Sequence, residues 1–356
     1  MLRLHFRPCG NYRERYEQEM TIFETDFGRL WMGVGIVIAL GVVPFLASPY
    51  MLYILNNMAI AAIAAVGLNL LIGFTGQISL GHGAFVGVGA YAAAVLATRV
   101  GLPFVVAVPL AGLVTALVGM VFGIPSVRLK HLYLTIATLA GQFIIEYLLV
   151  HWESLTGGAE GIILPEADLL GLRLVSDRSF FCVLFLIFVF LTWVAVNLVR
   201  TRYGRAFVAI RDNDRAAEGM GIPLFRYKLL AFGISSFYAG IAGALLAFYT
   251  VSITPEPFTL FLSIEYIAMI IIGGLGSISG SVFGAVFITL LNESLSWTAE
   301  FLMNTEALSR VALTIAPLRE FVFGLIIVLF IIFEPRGLAE LWRILRASFR
   351  LWPFAY

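Results

Sequence analysis

Ten stretches of this sequence are apolar over roughly the length that a bilayer demands, and that pattern limits the fold more than any other feature. A helix needs about 20 apolar residues to cross a hydrocarbon layer some 30 Å thick. The ten candidates are 31–47, 51–72, 85–98, 103–122, 132–150, 180–199, 229–249, 261–272, 282–297 and 317–333. Three of them, 85–98, 261–272 and 282–297, are short for a span, and glycine-rich sequence adjoins each. Backbone polar groups in lipid must be satisfied within the segment, so spans of this kind are helices. The expected fold is all-α, a polytopic transmembrane helical protein of about ten spans. Composition agrees: 60% of the 356 residues are hydrophobic and 13% are charged, against about 25% charged in a soluble domain.

Charge between the runs sets the orientation. Cytoplasmic connections carry the excess of Lys and Arg. With the N-terminus inside, the inner segments hold five basic residues before residue 31, Arg128 and Lys130, seven between 200 and 228, and Arg336, Arg343, Arg346 and Arg350. The outer segments hold Arg99, Arg173, Arg178, Arg310 and Arg319. Both termini are therefore expected in the cytoplasm. The chain divides into three regions: an extension at 1–30, a transmembrane unit at 31–337, and a tail at 338–356. The extension lacks the charged start, apolar core and cleavage site of a signal peptide, and 12–27 reads as a surface helix. In the tail, LAELWRILRASFRLW from Leu338 alternates apolar and basic groups at helical spacing. Such a helix lies on membrane lipid, Arg toward phosphates and Trp at the interface. Two outer segments, 151–179 and 298–320, are long enough to have shape. Either serves as a dock for a soluble receptor or as a plain lid over helix ends. The net charge of +1 gives no footing for a nucleic-acid partner.

The one long polar segment inside the apolar body is RTRYGRAFVAIRDNDRAAEGMGIPLFRYK, 200–228. Its interior, about 204–220, has no Pro and is rich in helix formers, and Gly221-Ile222-Pro223 stops a helix in the expected order. It reads as a short cytoplasmic helix tethered to two spans. Two roles are open: passing movement from a soluble partner into the membrane, or setting orientation and touching nothing.

Glycine is dense at Gly73, Gly76, Gly81, Gly83, Gly87 and Gly89, and again at Gly273, Gly274, Gly276, Gly280 and Gly284. Gly76-Gln77-Ile78-Ser79 and Gly276-Ser277-Ile278-Ser279 share G-x-I-S. Repeats within transporters often flank the substrate path. Each glycine run is either a broken helix beside such a path or a place of tight helix packing. Ionisable residues in the spans are few: Glu146, Glu265 and Glu293, all toward outer ends. No charge lies near a helix centre, which counts against a proton- or sodium-coupled carrier. The central polar residues are neutral: Asn56, Asn57, Asn69, Thr135, Thr138, Gln142 and Thr289. Thr135, Thr138 and Gln142 rise along one helix face. That face suits either a polar path or interhelical hydrogen bonds. His82 stands in the first glycine turn, as a helix cap or an inner gate.

Nothing in the chain has the spacing of a catalytic or metal centre. There is no HExxH, no C-x-x-C and no GxxxxGK[ST]. ATP hydrolysis, if it drives this protein, belongs to other subunits, and no cofactor is expected on this one.

Ala216, Ala217 and Gly221 have the spacing A-A-x-x-x-G. This resembles the E-A-A-x-x-x-G loop by which ABC importer permeases dock into their ATPase, although Arg215 stands where that loop has Glu and the downstream I-x-L-P is absent. GFTGQISLGHGAF (73–85), LTGGAEGI (155–162), RAFVAIRDNDRAAEGMGI (205–222) and IIGGLGSISGSVFGA (271–285) extend the likeness. Together they resemble the LivM-like permeases of the branched-chain amino acid ABC importer family, over about 51–337. The resemblance implies a subunit of an ATP-driven importer in a bacterial inner membrane. It also implies a homologous second permease, two ATP-binding subunits carrying ATP and Mg, and a periplasmic amino-acid-binding protein. The substrate would be branched-chain or similar amino acids, moved by alternating access. Expected coupling residues are Arg205, Arg211, Asp212, Arg215, Ala216, Ala217, Glu218 and Gly221, with Arg211, Asp212 and Arg215 facing the ATPase. Expected path or gate residues are Gly76, Gln77, Ser79, His82, Thr135, Thr138, Gln142, Gly276, Ser277 and Ser279. A stand-alone carrier or channel for a small polar solute is the alternative.

Overall fold

The computed structural model describes residues 41, 43–127, 132–169, 172–174, 176–303, 321–322, 324–330, 332 and 337–351. The expected helix at 12–27, residues 31–40 and 42 of the run at 31–47, and residues 304–320 lie outside them. The described chain is a helical bundle. Its first long helix, α1 (Pro49–Thr75), starts where Ser48 accepts the Met51 amide at 3.3 Å, with Pro49 at the first helical position. It ends at Gly76, φ 69°, where the Gln77 amide turns back to the Leu71 carbonyl at 3.2 Å. This is the left-handed helix stop that glycine makes without strain.

Next come α2 (His82–Thr98), α3 (Phe104–Gly123), α4 (Leu132–His151) and α5 (Asp177–Arg200). The polar segment forms α6 (Arg202–Asp212) and α7 (Asp214–Gly219). After them come α8 (Leu224–Thr250), α9 (Leu260–Gly273), α10 (Ile278–Met303) and α11 (Leu338–Leu351). Residues 321–322, 324–330 and 332 are also helical. Six of these helices, α1, α3, α4, α5, α8 and α10, are long and apolar enough to cross a membrane. α2 and α9, with 17 and 14 residues, are apolar but short. The run at 282–297 is not short. Gly280 continues the helix rather than the turn, and the helix runs on past Trp297 to Met303, so α10 has 26 residues.

The core is built on α1 and α8. In their most apolar windows 89% and 72% of residues are buried, against 28% for α5. Glycines let α2 approach α8. A side chain on Gly89 would overlap the Gly240 backbone, and one on Gly243 would overlap the Val86 carbonyl. Close approach of small residues is how helices gain packing where lipid offers no hydrophobic drive.

The bundle has two distinct ends. One is basic: it gathers the C-terminus of α1, the α6–α7 segment, the N-terminus of α8, the α9–α10 turn and the start of α11. Lys228 there is buried beside Asp214 at 3.9 Å, and Gly337 packs so closely that an added Cβ would lie 2.7 Å from Gly274 Cα. At the opposite end Tyr53 meets the Tyr249 ring, and Tyr50 bonds Glu293 while stacking on Trp297. Here β1 (Ile162–Ile163) pairs antiparallel with β4 (Ser252–Ile253), and β2 (Asp168–Leu169) with β3 (Leu172–Arg173). Gly157, Gly158 and Gly161 all take positive φ in the turn before β1. The described residues of the segment before α5 are thus joined to the loop after α8 through the β1–β4 pair.

Candidate functional site: two glycine turns and the loop that touches them

Both G-x-I-S motifs lie at the basic end, side by side. In the first, α1 stops at Thr75 and the chain runs without helix through 76–81. It climbs back along α1, because His82 Nε2 lies 2.9 Å from the Ala64 carbonyl. Ala64 stands eleven residues before the end of α1, about 16 Å at 1.5 Å per residue. So α2 begins deep inside the bundle. Its first amides have no partner within the helix and are met by side chains of other elements. Thr138 accepts the Leu80 amide at 3.0 Å, Ser263 the Gly83 amide at 2.8 Å and Gln142 the Ala84 amide at 2.9 Å. Gln142 also accepts from Ser263 Oγ at 3.0 Å and donates to the Phe258 carbonyl at 2.9 Å. Gln77 and Ser79 are buried. Gln77 Nε2 donates to Thr75 Oγ1 at 3.1 Å, and its Oε1 is enclosed without a protein partner. The ring of Tyr266 meets His82 edge-on at 5.5 Å.

The second turn is compact. α9 ends at Gly273 and α10 begins at Ile278. Gly276 takes φ 76°. Ser277 accepts the Gly280 amide at 3.1 Å, so it caps α10, and Ser279 Oγ lies 3.1 Å from Ser277 Oγ. One side chain of α1 fastens this turn. Asn69, fully buried, accepts the Gly276 amide at 2.9 Å and donates to the Ser277 carbonyl at 2.8 Å and to Ser281 Oγ at 2.6 Å. Both ends of the amide are thereby satisfied in the low-dielectric interior. Gly73 leaves room for it, since a Cβ there would overlap Asn69 Oδ1 and the Gly276 amide.

The polar segment lies across these turns. The single helix expected over 204–220 is two, because Asn213 breaks it in extended geometry and its Oδ1 accepts the amides of Arg215 and Ala216 at 3.1 Å. One face is sunk in the bundle through Ala206, Phe207, Ile210 and Ala217. The other exposes Arg205, Asp212, Arg215, Ala216, Glu218 and Gly221, together with Met220 and Phe225. Gly221, φ 83°, ends α7, with the Ile222 amide returning to the Ala217 carbonyl at 3.0 Å.

The structure separates residues that the sequence groups together. Arg211 reaches inward: Nη1 donates to the Gly73 carbonyl at 2.9 Å, while Nε pairs with Asp212 at 3.2 Å. Ala217 faces the core, not outward with Ala216. Thr138 and Gln142 are engaged with α2 and with the chain before α9, and Thr138 Oγ1 also donates to the Thr135 carbonyl at 3.0 Å. Asn69 stands out only as one neutral polar residue among several in the sequence. Ser263 carries no sequence signal at all, because its partner lies 180 residues away. Of the acids, Glu265 is bonded by Asn292 and Glu293 by Tyr50.

The model of the family described as branched-chain amino acid transport system / permease component matches residues 50–331. The high-affinity branched-chain amino acid transport system permease protein LivM of Salmonella typhimurium (strain LT2) is 33% identical over 324 residues, covering 84% of this chain and 72% of its own. LivM of Escherichia coli (strain K12) is 32% identical over the same shares. A probable branched-chain amino acid transport permease protein LivH of Methanocaldococcus jannaschii is 30% identical over 246 residues, covering 65% of this chain and 75% of its own. No solved structure matches. A family match over most of the length, on a bundle of membrane-length helices, means that the chain belongs to the family of permease components of branched-chain amino acid transport systems.

Proposed function

We propose that this permease is one half of the translocation path of an ATP-driven importer for branched-chain or similarly sized amino acids. A homologous permease supplies the other half. Two ATP-binding subunits, which carry ATP and Mg, dock at the basic end, and this chain binds no cofactor. A periplasmic amino-acid-binding protein delivers substrate to the opposite end, where 151–169 and 251–259 meet. The chain has about ten spans with both termini in the cytoplasm of a bacterial inner membrane. Residues 1–30 and 338–356 flank the transmembrane unit, and the tail lies on membrane lipid.

One observation carries the reading. The α6–α7 segment is anchored on one face by Phe207, Ile210 and Ala217 and open on the other at Arg215, Ala216, Glu218 and Met220. A helix seated in the bundle yet presenting charge and one 76%-exposed methionine suits a surface that takes hold of it and moves it. Charge-assisted bonds from Arg205, Arg215 and Glu218 give such a contact direction. Alternating access results if those contacts differ between two states, since only a differential interaction shifts an equilibrium. The path runs beside the first glycine turn, where Gly76, Gln77 and Ser79 belong to a non-helical stretch that leads into the bundle and ends at His82, the first residue of α2. Irregular backbone at such depth survives only when enclosed by protein or lining a cavity.

The test is purification of this chain from its native membrane. Recovery of two ATP-binding subunits and a second permease, with ATP-dependent uptake of leucine, isoleucine or valine after reconstitution with the binding protein, is expected. The chain alone moving solute in liposomes without nucleotide would overturn the reading in favour of a stand-alone carrier.

A further inference from the structure

We propose that Arg211 is the positioning residue that carries movement of the α6–α7 segment into both glycine turns, and that its bond to Gly73 is made in one state of the transport cycle and released in the other. The inference rests on the importer reading above. It differs from the expectation that Arg211 faces the ATPase.

Three observations meet at this side chain. Its guanidinium donates to the Gly73 carbonyl in the last turn of α1. Carbonyls there lack partners in the helix, and the dipole favours a cation. The Ile72 and Leu71 carbonyls are taken by Gly76 and Gln77. Arg211 therefore holds a group that the turn itself leaves over. The side chain also passes between the two motifs: a Cβ on Gly76 would lie 3.1 Å from Arg211 Cγ, and one on Gly276 would lie 3.2 Å from Nη1. One arginine thus touches the first turn and abuts the second. Finally, Asp212 holds Nε at 3.2 Å, which fixes the fork in direction.

Arg211 lies two residues before Asn213, the hinge between α6 and α7. Whatever draws on the exposed face of α7 pulls at this point. The bond to Gly73 is 2.9 Å, and geometry beyond about 3.5 Å is no longer a hydrogen bond. A displacement on the order of 1 Å therefore breaks it, whereas the apolar packing of Phe207 and Ile210 gives way gradually. Asn69 ties α1 to the α9–α10 turn, so a pull on Gly73 reaches both halves of the repeat.

The experiment compares wild type, Arg211→Gln, Arg211→Lys and Asp212→Asn in the complete complex in proteoliposomes. ATP-binding subunits retained, ATP hydrolysed and amino acid taken up are each measured. Arg211→Gln is expected to retain its ATP-binding subunits and hydrolyse ATP within about threefold of wild type, with uptake per ATP lowered about tenfold. Arg211→Lys, which keeps the charge at the α1 terminus, should recover most of that ratio. Asp212→Asn, exposed and remote from the packing, should lower it about threefold. If neither Arg211→Gln nor Asp212→Asn moves the ratio, or if hydrolysis and uptake fall in proportion, the inference is overturned. Should Arg211→Gln not assemble, Asp212→Asn alone decides it. Wild-type protein that purifies without ATP-binding subunits removes the importer reading and this inference together, whereas an intact complex with an unmoved ratio removes only the latter.

Discussion

The two glycine turns share a motif, an end of the bundle and a left-handed glycine, yet they do opposite things with the backbone. From Gly76 the chain stays out of helix for six residues and returns to the level of Ala64 before α2 begins. After Gly276 it re-enters helix at Ile278. The first turn sends its unpaired amides to α4 and to Ser263 of α9. The second caps itself with Ser277 and is fastened from outside by Asn69. G-x-I-S marks where a helix stops, because glycine accepts positive φ at no steric cost. The course of the chain beyond that stop is decided by which distant side chains are waiting for the freed groups. Only the first motif opens the backbone inside the bundle, so the two halves of the repeat are not equivalent parts of a path.

The sharpest way to break this comparison is to remove the fastener of the second turn. Asn69→Leu keeps the volume but orphans the Gly276 amide and takes one bond each from the Ser277 carbonyl and Ser281 Oγ, which keep each other at 3.3 Å. Each buried group left unpaired costs about 1–3 kcal/mol. A loss of about 3 kcal/mol is expected, read as a lowered unfolding midpoint in detergent. A loss no greater than that of a surface substitution would mean that the second turn holds itself.

The first turn should respond less to its own hub. Gln142→Leu frees the Ala84 amide and the Phe258 carbonyl, while Ser263 keeps its bond to Gly83. About 2 kcal/mol is expected, together with faster amide exchange at 80–84, because the N-terminus of α2 loses one of the side chains that satisfy it. Equal losses in the two variants would make the turns equivalent after all.

Much of this fold is legible in the sequence where length and hydropathy suffice. The runs 103–122, 132–150 and 180–199 fall within a few residues of α3, α4 and α5, since a span is recognised by how much apolar length it offers. The stop at Gly221 is legible for a local reason as well. The start of α10 is not, because Gly280 reads as a turn residue yet sits inside a helix that packs on α9 backbone. The break at Asn213 has a local signal that goes unread: Asn is a strong N-cap, and its side chain takes the amides of Arg215 and Ala216. Arg211 and Asn69 are visible as residues but not as contacts. Their partners are backbone groups 138 and about 207 residues away, and a carbonyl leaves no trace in sequence. The antiparallel pair Ile162–Ile253 is hidden for the same reason.

The smallest effect tests the part that the turns have in common. Gly76→Ala and Gly276→Ala each place a Cβ on left-handed backbone, φ 69° and 76°, at a cost of about 1 kcal/mol. Space does not separate them, since each new methyl comes nearest to the Arg211 side chain, at 3.1 Å and 3.2 Å, with backbone of Arg211 and Gly73 at ordinary contact distance, 3.5 Å and 3.4 Å. Gly273→Ala would be different, because its Cβ overlaps the Gly280 carbonyl, which is backbone and cannot swing aside. Near-equal, modest shifts in the unfolding midpoint for the first two variants are therefore expected. A much larger loss at Gly276 would show that Arg211 is pinned against the second turn. The guanidinium would then be gripped by both turns at once, and a displacement of α6 would strain them together rather than release the first alone.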